Sequence, residues 1–250
     1  MISISPIVSQ EQIRETIALE RQVWQYGDVD VDAPSILAIA SRFVGQLLGA
    51  FDGPRMIGFA LSFCTPSPGR VHSHRVGVHS GYRNKGVGRM LKLAQREYGL
   101  AGGIHTIQWT FDPMQPGNAH FNLVRLGGVA TCFLPNFYGI TSSPLHAGLP
   151  TDRLLIEWRL ESRRVLDALA GKSPKPGDGV CRIYLPGPEE RRDPEALRRL
   201  GEQFARRFAE GYAVTGFERQ GTPGVGSAAY LLEPAEETRL EASGGVVGTG

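Results

Sequence analysis

The chain has 250 residues, and its 27 Lys plus Arg against 25 Asp plus Glu leave a net charge of +2, which excludes the basic surplus of a nucleic-acid or anionic-membrane surface. That length allows one well-buried domain and a substantial appendage. Residues 1–6 lack the charged start and apolar core of a signal peptide, and no apolar run approaches the roughly 18 residues of a membrane span, so a soluble, cytoplasmic protein is expected, with no nucleic-acid or membrane partner. Cys64, Cys132 and Cys181 are odd in number, far apart and without a C-x-x-C pair. Reduced, mostly buried thiols are expected, with neither a disulfide framework nor a metal site.

Ile2, Ile4 and Val8 fit a first strand. Ser9 followed by Gln12 is a capping-box start for a helix carrying Ile13 and Ile17, which breaks at 26–30. Ile36, Leu37, Ile39, Ala40 and Phe43 suggest a short second helix. Apolar runs at 46–51 and 56–63 flank Asp52-Gly53-Pro54-Arg55, which is hairpin chemistry. A strand at 71–79 then leads through a glycine-rich turn into a helix over 90–96. A strand at 104–111 stops at Asp112-Pro113, a helix spans 119–126, and strands follow at 130–134 and 154–160. Residues 171–179 read as a linker. Beyond it, Asp193-Pro194-Glu195 starts a helix with Leu197, Leu200, Phe204 and Phe208 on one stripe, followed by strands at 212–217 and 228–232 and a glycine-rich, disordered tail over 235–250.

The turn Arg83-Asn84-Lys85-Gly86-Val87-Gly88-Arg89 carries the strongest chemical signal. Strand, glycine turn and helix in that order present backbone N–H groups and a helix dipole to one anion. Gly86 and Gly88 allow close approach, and Arg83, Lys85 and Arg89 add charge, so a pyrophosphate is the natural ligand. A P-loop would need Lys-Ser or Lys-Thr after its second glycine, but Val87-Gly88 follows Gly86; a dinucleotide fingerprint would need glycine where Leu91 stands.

The remaining pattern, R-x-x-G-x-G after a strand, resembles motif A of the GCN5-related N-acetyltransferase (GNAT) superfamily, whose turn holds the pyrophosphate of coenzyme A. The element order matches that superfamily over roughly residues 2–162. The resemblance implies an α/β fold with a mixed sheet (GNAT acyl-CoA N-acyltransferase fold) over residues 1–165, to which composition and spacing add a linker over 166–180 and a small C-terminal α/β unit over 181–234. At about 55 residues that last unit is marginal alone, so it docks on the main domain or on a second copy of the chain. The cofactor implied is acetyl-CoA or another acyl-CoA, without metal. The backbone of Val76, Gly77 and Val78 would face the thioester and pantetheine arm.

His72 and His74 alternate along the strand and therefore share a face. A pair there can relay a proton from an ammonium acceptor. H-x-H directly before the turn resembles arylalkylamine N-acetyltransferases, which implies His74 assisted by His72 as the base. Core histidines, or half of a metal site, are the alternative readings. The superfamily's proton donor to the thiolate, a tyrosine four residues before the closing glycine, is absent: counting back from Gly127 gives Leu123. Tyr138 or solvent would take that part.

Asn118 and Asn122 match asparagines that related enzymes place near the cofactor; Asn118 is equally a helix cap. Asp112 suits an ammonium or caps the next turn. The run 148–154, with 111–113, 118–119 and the trailing unit, resembles a predicted acetyltransferase family of bacteria and archaea, some members of which are associated with N-succinylation of amino acids. Arg153 or Arg125 would then meet the acceptor's carboxylate, against a plain Asp-Arg surface pair. The function implied is N-acyl transfer from acetyl- or succinyl-CoA to a small amine or amino acid by direct attack. A non-catalytic CoA-binding scaffold and an ATP- or NAD-binding module are the alternatives.

Overall fold

The structure, a computed structural model, describes residues 1–172, 177, 179–219 and 228–235. The chain forms two compact units, Met1–Trp109 with Ile140–Gly148, and Thr110–Gly139 with the described part of Leu149–Gly250.

In the first unit, β1 (Ile2–Pro6) leads to α1 (Gln10–Trp24), where Ser9 Oγ accepts from the Gln12 N–H at 3.1 Å and the Gln12 side chain accepts from the Ser9 N–H. This is the expected capping box, of a kind that stabilises a helix start by about 1 kcal/mol. Its buried face carries Ile13, Thr16, Leu19 and, against ordinary preference, Glu20. The next helix, α2 (Pro34–Ile39), continues through one wider turn to Val44 and feeds β2 (Gly45–Asp52). A tight turn at Gly53, φ +59°, joins β2 to β3 (Arg55–Cys64). β4 (Arg70–Val78), α3 (Val87–Ala101) and β5 (Thr106–Phe111) complete the series, with β5 carrying the chain into the second unit.

Strands β1 to β4 pair antiparallel in sequence order, and β4 pairs parallel with β5 across the α3 crossover. Phe59 and Leu61 pack with Ile13 and Leu19 on the α1 face, whereas Ala60 packs with Val87 and Leu91 on the α3 face. Each fully buried Leu, Ile or Phe contributes about 1.5–3 kcal/mol.

Two departures from regular pairing shape β4. Its parallel ladder with β5 ends after Arg70, Val71 and His72 have met Thr106, Ile107 and Gln108. Against β3, Ser62 opposes Ser73 but Leu61 opposes Arg75, so His74 is the extra residue of a β-bulge.

The second unit contains α4 (Pro116–Ala119, extended by a wider turn to Arg125), β6 (Val129–Leu134), β7 (Arg153–Arg159), α5 (Arg163–Leu169), β8 (Cys181–Tyr184), α6 (Pro194–Ala209), β9 (Tyr212–Arg219) and β10 (Ala228–Pro234). Its strands are antiparallel in the order β7-β6-β9-β10-β8. Asp193 caps α6 as expected, accepting from the Glu195 and Ala196 N–H groups. The stripe on α6 buries within this unit: Phe204 stacks on Phe133 at 6.1 Å and meets Tyr230 edge-on at 5.1 Å. Within this unit β9 pairs with β6 through Val214 and Ala130.

Strand β8, with four residues, is too short to stand out in the sequence. The linker expected over 166–180 begins as the end of α5, and residues 173–176 and 178 lie outside the described residues, as does the tail beyond Ala235. The thiols also depart from expectation: Cys64, at the end of β3, is exposed, and Cys132 and Cys181 are half-buried.

Candidate active site

The glycine turn is built from its flanks. His79 Nδ1 accepts from the Gly81 N–H at 3.1 Å, its Nε2 lies 3.0 Å from Arg55 Nη2, and Tyr82 donates its hydroxyl to Asp52 Oδ2 at 2.8 Å. His79 is therefore structural. Asn84 (φ +61°) and Gly86 (φ +82°) then turn the backbone through left-handed conformations into α3. The N–H groups of Val87, Gly88 and Arg89 precede the first helical bond, from the Met90 N–H to the Gly86 carbonyl at 3.0 Å, and no acidic residue occupies that first turn. A Cβ at Gly86 would meet nothing within 4 Å, and at Gly88 only Val78 Cγ2 at 3.9 Å. Arg83, Asn84 and Lys85 are exposed around this opening, with the Lys85 ammonium 5.0 Å from the Tyr82 ring. First-turn backbone donors, a helix dipole and two exposed cations fit a pyrophosphate. Val87 offers only its backbone, since its side chain is in the core.

Beside the turn, β4 runs on from Ser73 to Val78 without β5 at its edge, so the two strands form a fork whose last shared rung is His72 with Gln108. Val76 and Val78 line the α3 face. Gly77 faces the other way, where a Cβ would stand 2.7 Å from Phe59 Cε1 and 3.2 Å from Trp24 Cη2; packing accounts for glycine here, where the sequence suggested approach of a ligand.

The two histidine rings lie 6.4 Å apart. Burial, with His74 and Lys92 adding to it, pushes His72 down to about 4, so it is neutral at physiological pH and a weak base. His74 Nε2 lies 3.2 Å from Arg75 Nε and 3.7 Å from Asp32 Oδ1. A neutral His74 accepts from Arg75 there, and a protonated one presents N–H to the Asp32 carboxylate. The bulge puts these neighbours on one face: Arg75 pairs with the fully buried Glu20, lies 3.2 Å from Asp32 Oδ2, donates to the Asp30 carbonyl at 3.0 Å, and sits 5.6 and 5.0 Å from the Trp24 and Tyr26 rings. Asp30 in turn accepts from the Ser142 N–H and hydroxyl, which hold its carboxyl below the usual range.

Glu20, Asp32 and Arg75 were not singled out from sequence. Glu20 carried a signal, because with Ile13 and Thr16 it falls on the buried stripe of α1. Burial pushes its carboxyl up to about 7 despite the Arg75 charge, with Asp32 adding to the rise. A carboxyl raised above its unfolded value holds a proton in the native state that the unfolded chain releases. Its contribution is therefore full below about 4.5 and is lost as pH climbs to about 7, by roughly 3 kcal/mol. Urea unfolding should show this fall in the wild type and a flat profile over the same window in Glu20→Gln. An equal slope in both would remove Glu20 from the explanation.

The remaining candidates lie in the second unit. Asp112 caps its turn, accepting from the Met114 N–H at 2.8 Å. Asn118 and Arg125 are exposed, whereas Asn122 is buried, as is Leu123 at the position of the expected tyrosine. Tyr138 shares a hydrogen bond with Thr110 at 3.1 Å. Arg153 is buried rather than a surface residue, donating to the Asp152 carbonyl at 2.8 Å, with its guanidinium 5.3 Å from the Tyr138 ring. Among the described residues, no three His, Cys, Asp or Glu side chains form a metal-ligand group, and no helix is long and apolar enough to cross a membrane.

Comparison with known proteins locates this arrangement. The profile of the Acetyltransferase (GNAT) family matches residues 11–123, which contain the turn, the fork and the Glu20–Arg75 cluster. No curated protein matches the sequence. Among solved structures, the ribosomal-protein-S18-alanine N-acetyltransferase of Escherichia coli aligns with a TM-score of 0.52 at 14% identity, over 64% of this chain and 94% of that one. An N-acetyltransferase of Staphylococcus aureus Mu50 gives 0.51 at 13%, over 64% and 99%. A Salmonella typhimurium protein, solved with its cofactor acetyl-CoA, gives 0.54 at 18%, over 65% and 96%. At such identities the likeness is one of fold, and it leaves about a third of this chain unmatched. Residues 11–123 therefore match a GNAT acetyltransferase domain, and the mixed sheet with the turn before α3 is that of solved GNAT structures.

Proposed function

We propose that the protein transfers an acyl group from acetyl- or succinyl-CoA to a small amine or amino acid by direct attack. The observation that carries this reading is the open N-terminus of α3 immediately beyond a strand that leaves its neighbour after three rungs. The Salmonella protein of the same fold, solved with acetyl-CoA, supports the choice of donor.

In this reading the N–H groups at Val87–Arg89, with Arg83 and Lys85, bind the pyrophosphate, and the free edge of β4 from Val76 to Val78 orients the pantetheine arm and polarises the thioester carbonyl. His74 is the base. It takes a proton from the acceptor's ammonium, and Asp32 then faces the imidazolium; His72, kept neutral by burial, orients the acceptor without taking the proton. The acceptor nitrogen adds to the carbonyl carbon, the C–S bond breaks, and the thiolate leaves to be protonated by solvent.

Free thiol measured after mixing the protein with acetyl-, succinyl- and longer acyl-CoA and panels of amines and amino acids tests the reading. Absence of turnover with every pair defeats it. His74→Ala should lower kcat by about 10²–10⁴-fold with CoA affinity kept, and His72→Ala by less. An active His74→Ala enzyme moves the base elsewhere.

A further inference from the structure

Lys92 carries the buried amine that the proposed reaction leaves unused. It lies on α3 at 3% exposure. Its Nζ donates to Ser73 Oγ at 2.8 Å and stands 3.6 Å from the centroid of the Trp109 ring, while Ser73 Oγ donates onward to Gln95 Oε1 at 3.1 Å. Ser73 and Trp109 are the first residues of β4 and β5 beyond the last shared rung. The amine therefore sits at the apex of the fork, touching both strands where they part. No carboxylate of the described residues pairs with it, and His72, one of the two histidines flanking Ser73, is held neutral by burial. Burial alone depresses its ionisation well below the lysine range. Among the described lysines, Lys85, Lys92 and Lys172, it is the one in the core.

We propose that Lys92 is a self-acylation site, taking the acyl group of a donor seated in the fork when no external acceptor is present. The inference rests on the proposed donor site. A thioester held with its pyrophosphate on the turn at the far end of β4 extends toward the apex, about 17 Å away along five residues of strand. The uncharged amine adds to the carbonyl carbon, the C–S bond breaks, and coenzyme A leaves as a thiolate that takes the proton lost by the new amide nitrogen. The products are Nε-acyl-Lys92 and free coenzyme A. The amide is stable and fills the apex, so one event per molecule ends the process.

The test uses the wild-type protein with acetyl-CoA and no amine, followed by intact mass and peptide mapping. One acetyl group per chain is expected at Lys92, at least about tenfold above Lys85 and Lys172, and suppressed by excess free coenzyme A. An unmodified Lys92 in protein that binds acetyl-CoA overturns the inference, as does modification that free coenzyme A fails to suppress, because that is simple chemical acylation. Failure to bind acetyl-CoA at all instead defeats the donor site itself.

Discussion

Replacing Arg75 with methionine should lower folding stability by about 3–5 kcal/mol above the Glu20 midpoint, a loss much reduced near pH 5. Arg75 is the cation between Glu20, which is fully buried, and Asp32, whose side chain is 14% exposed. Methionine fills a similar volume and keeps contact with the Trp24 and Tyr26 rings, so the effect isolates charge. Two carboxylates would then face each other without a counter-charge, and Glu20 would have to bind a proton for the chain to fold. Acid supplies that proton to mutant and wild type alike, and the gap between them closes. Urea unfolding at two pH values measures it. A loss below about 1 kcal/mol at both would mean that solvent reaches the cluster and that Glu20 is not confined as the structure has it.

The second large effect concerns donor binding. Gly86→Val should weaken coenzyme A binding about a hundredfold or more while costing only about 1–2 kcal/mol of stability. Gly86 has φ +82°, where a β-branched residue is strained by that amount. A Cβ there meets no protein atom within 4 Å, so the fold survives, but the side chain stands at the N-cap of α3, beside the backbone donors of its first turn. Loss of two charge-assisted bonds at about 1.5–3 kcal/mol each accounts for the hundredfold. Calorimetric titration with coenzyme A checks it. Unchanged affinity would show that the anion is held elsewhere.

Features decided within a few residues were legible from the chain alone. Ser9 with Gln12, the hairpin at Asp52–Arg55 and the start of α6 at Asp193 are local agreements between side chain and backbone, and each holds in the structure. The glycine turn is of the same kind. What escaped depends on contacts between distant positions. Asp32 lies in a loop with no periodicity, and nothing near it in sequence announces Arg75 as its partner. Gly77 invited a ligand-based explanation because Phe59 and Trp24, which need the space, are far away in the chain. The buried charge of Arg153 and the pairing of β9 with β6 have the same cause.

The bulge in β4 bears on how relatives of this chain should be read. A regular strand sends adjacent residues to opposite sides, so a histidine and an arginine side by side in sequence could not serve one cluster. One extra residue at His74 allows it and leaves the strand beyond unturned, with Val76 and Val78 still against α3. A relative one residue shorter between the positions of Ser73 and Val76 would keep the same downstream strand and the same turn, yet retain only one of the two side chains. Because the bulged residue is His74, Arg75 and its partner Glu20 should then persist together, so that a length difference in one strand predicts loss of the histidine alone while the charge pair with a helix some fifty positions earlier is kept.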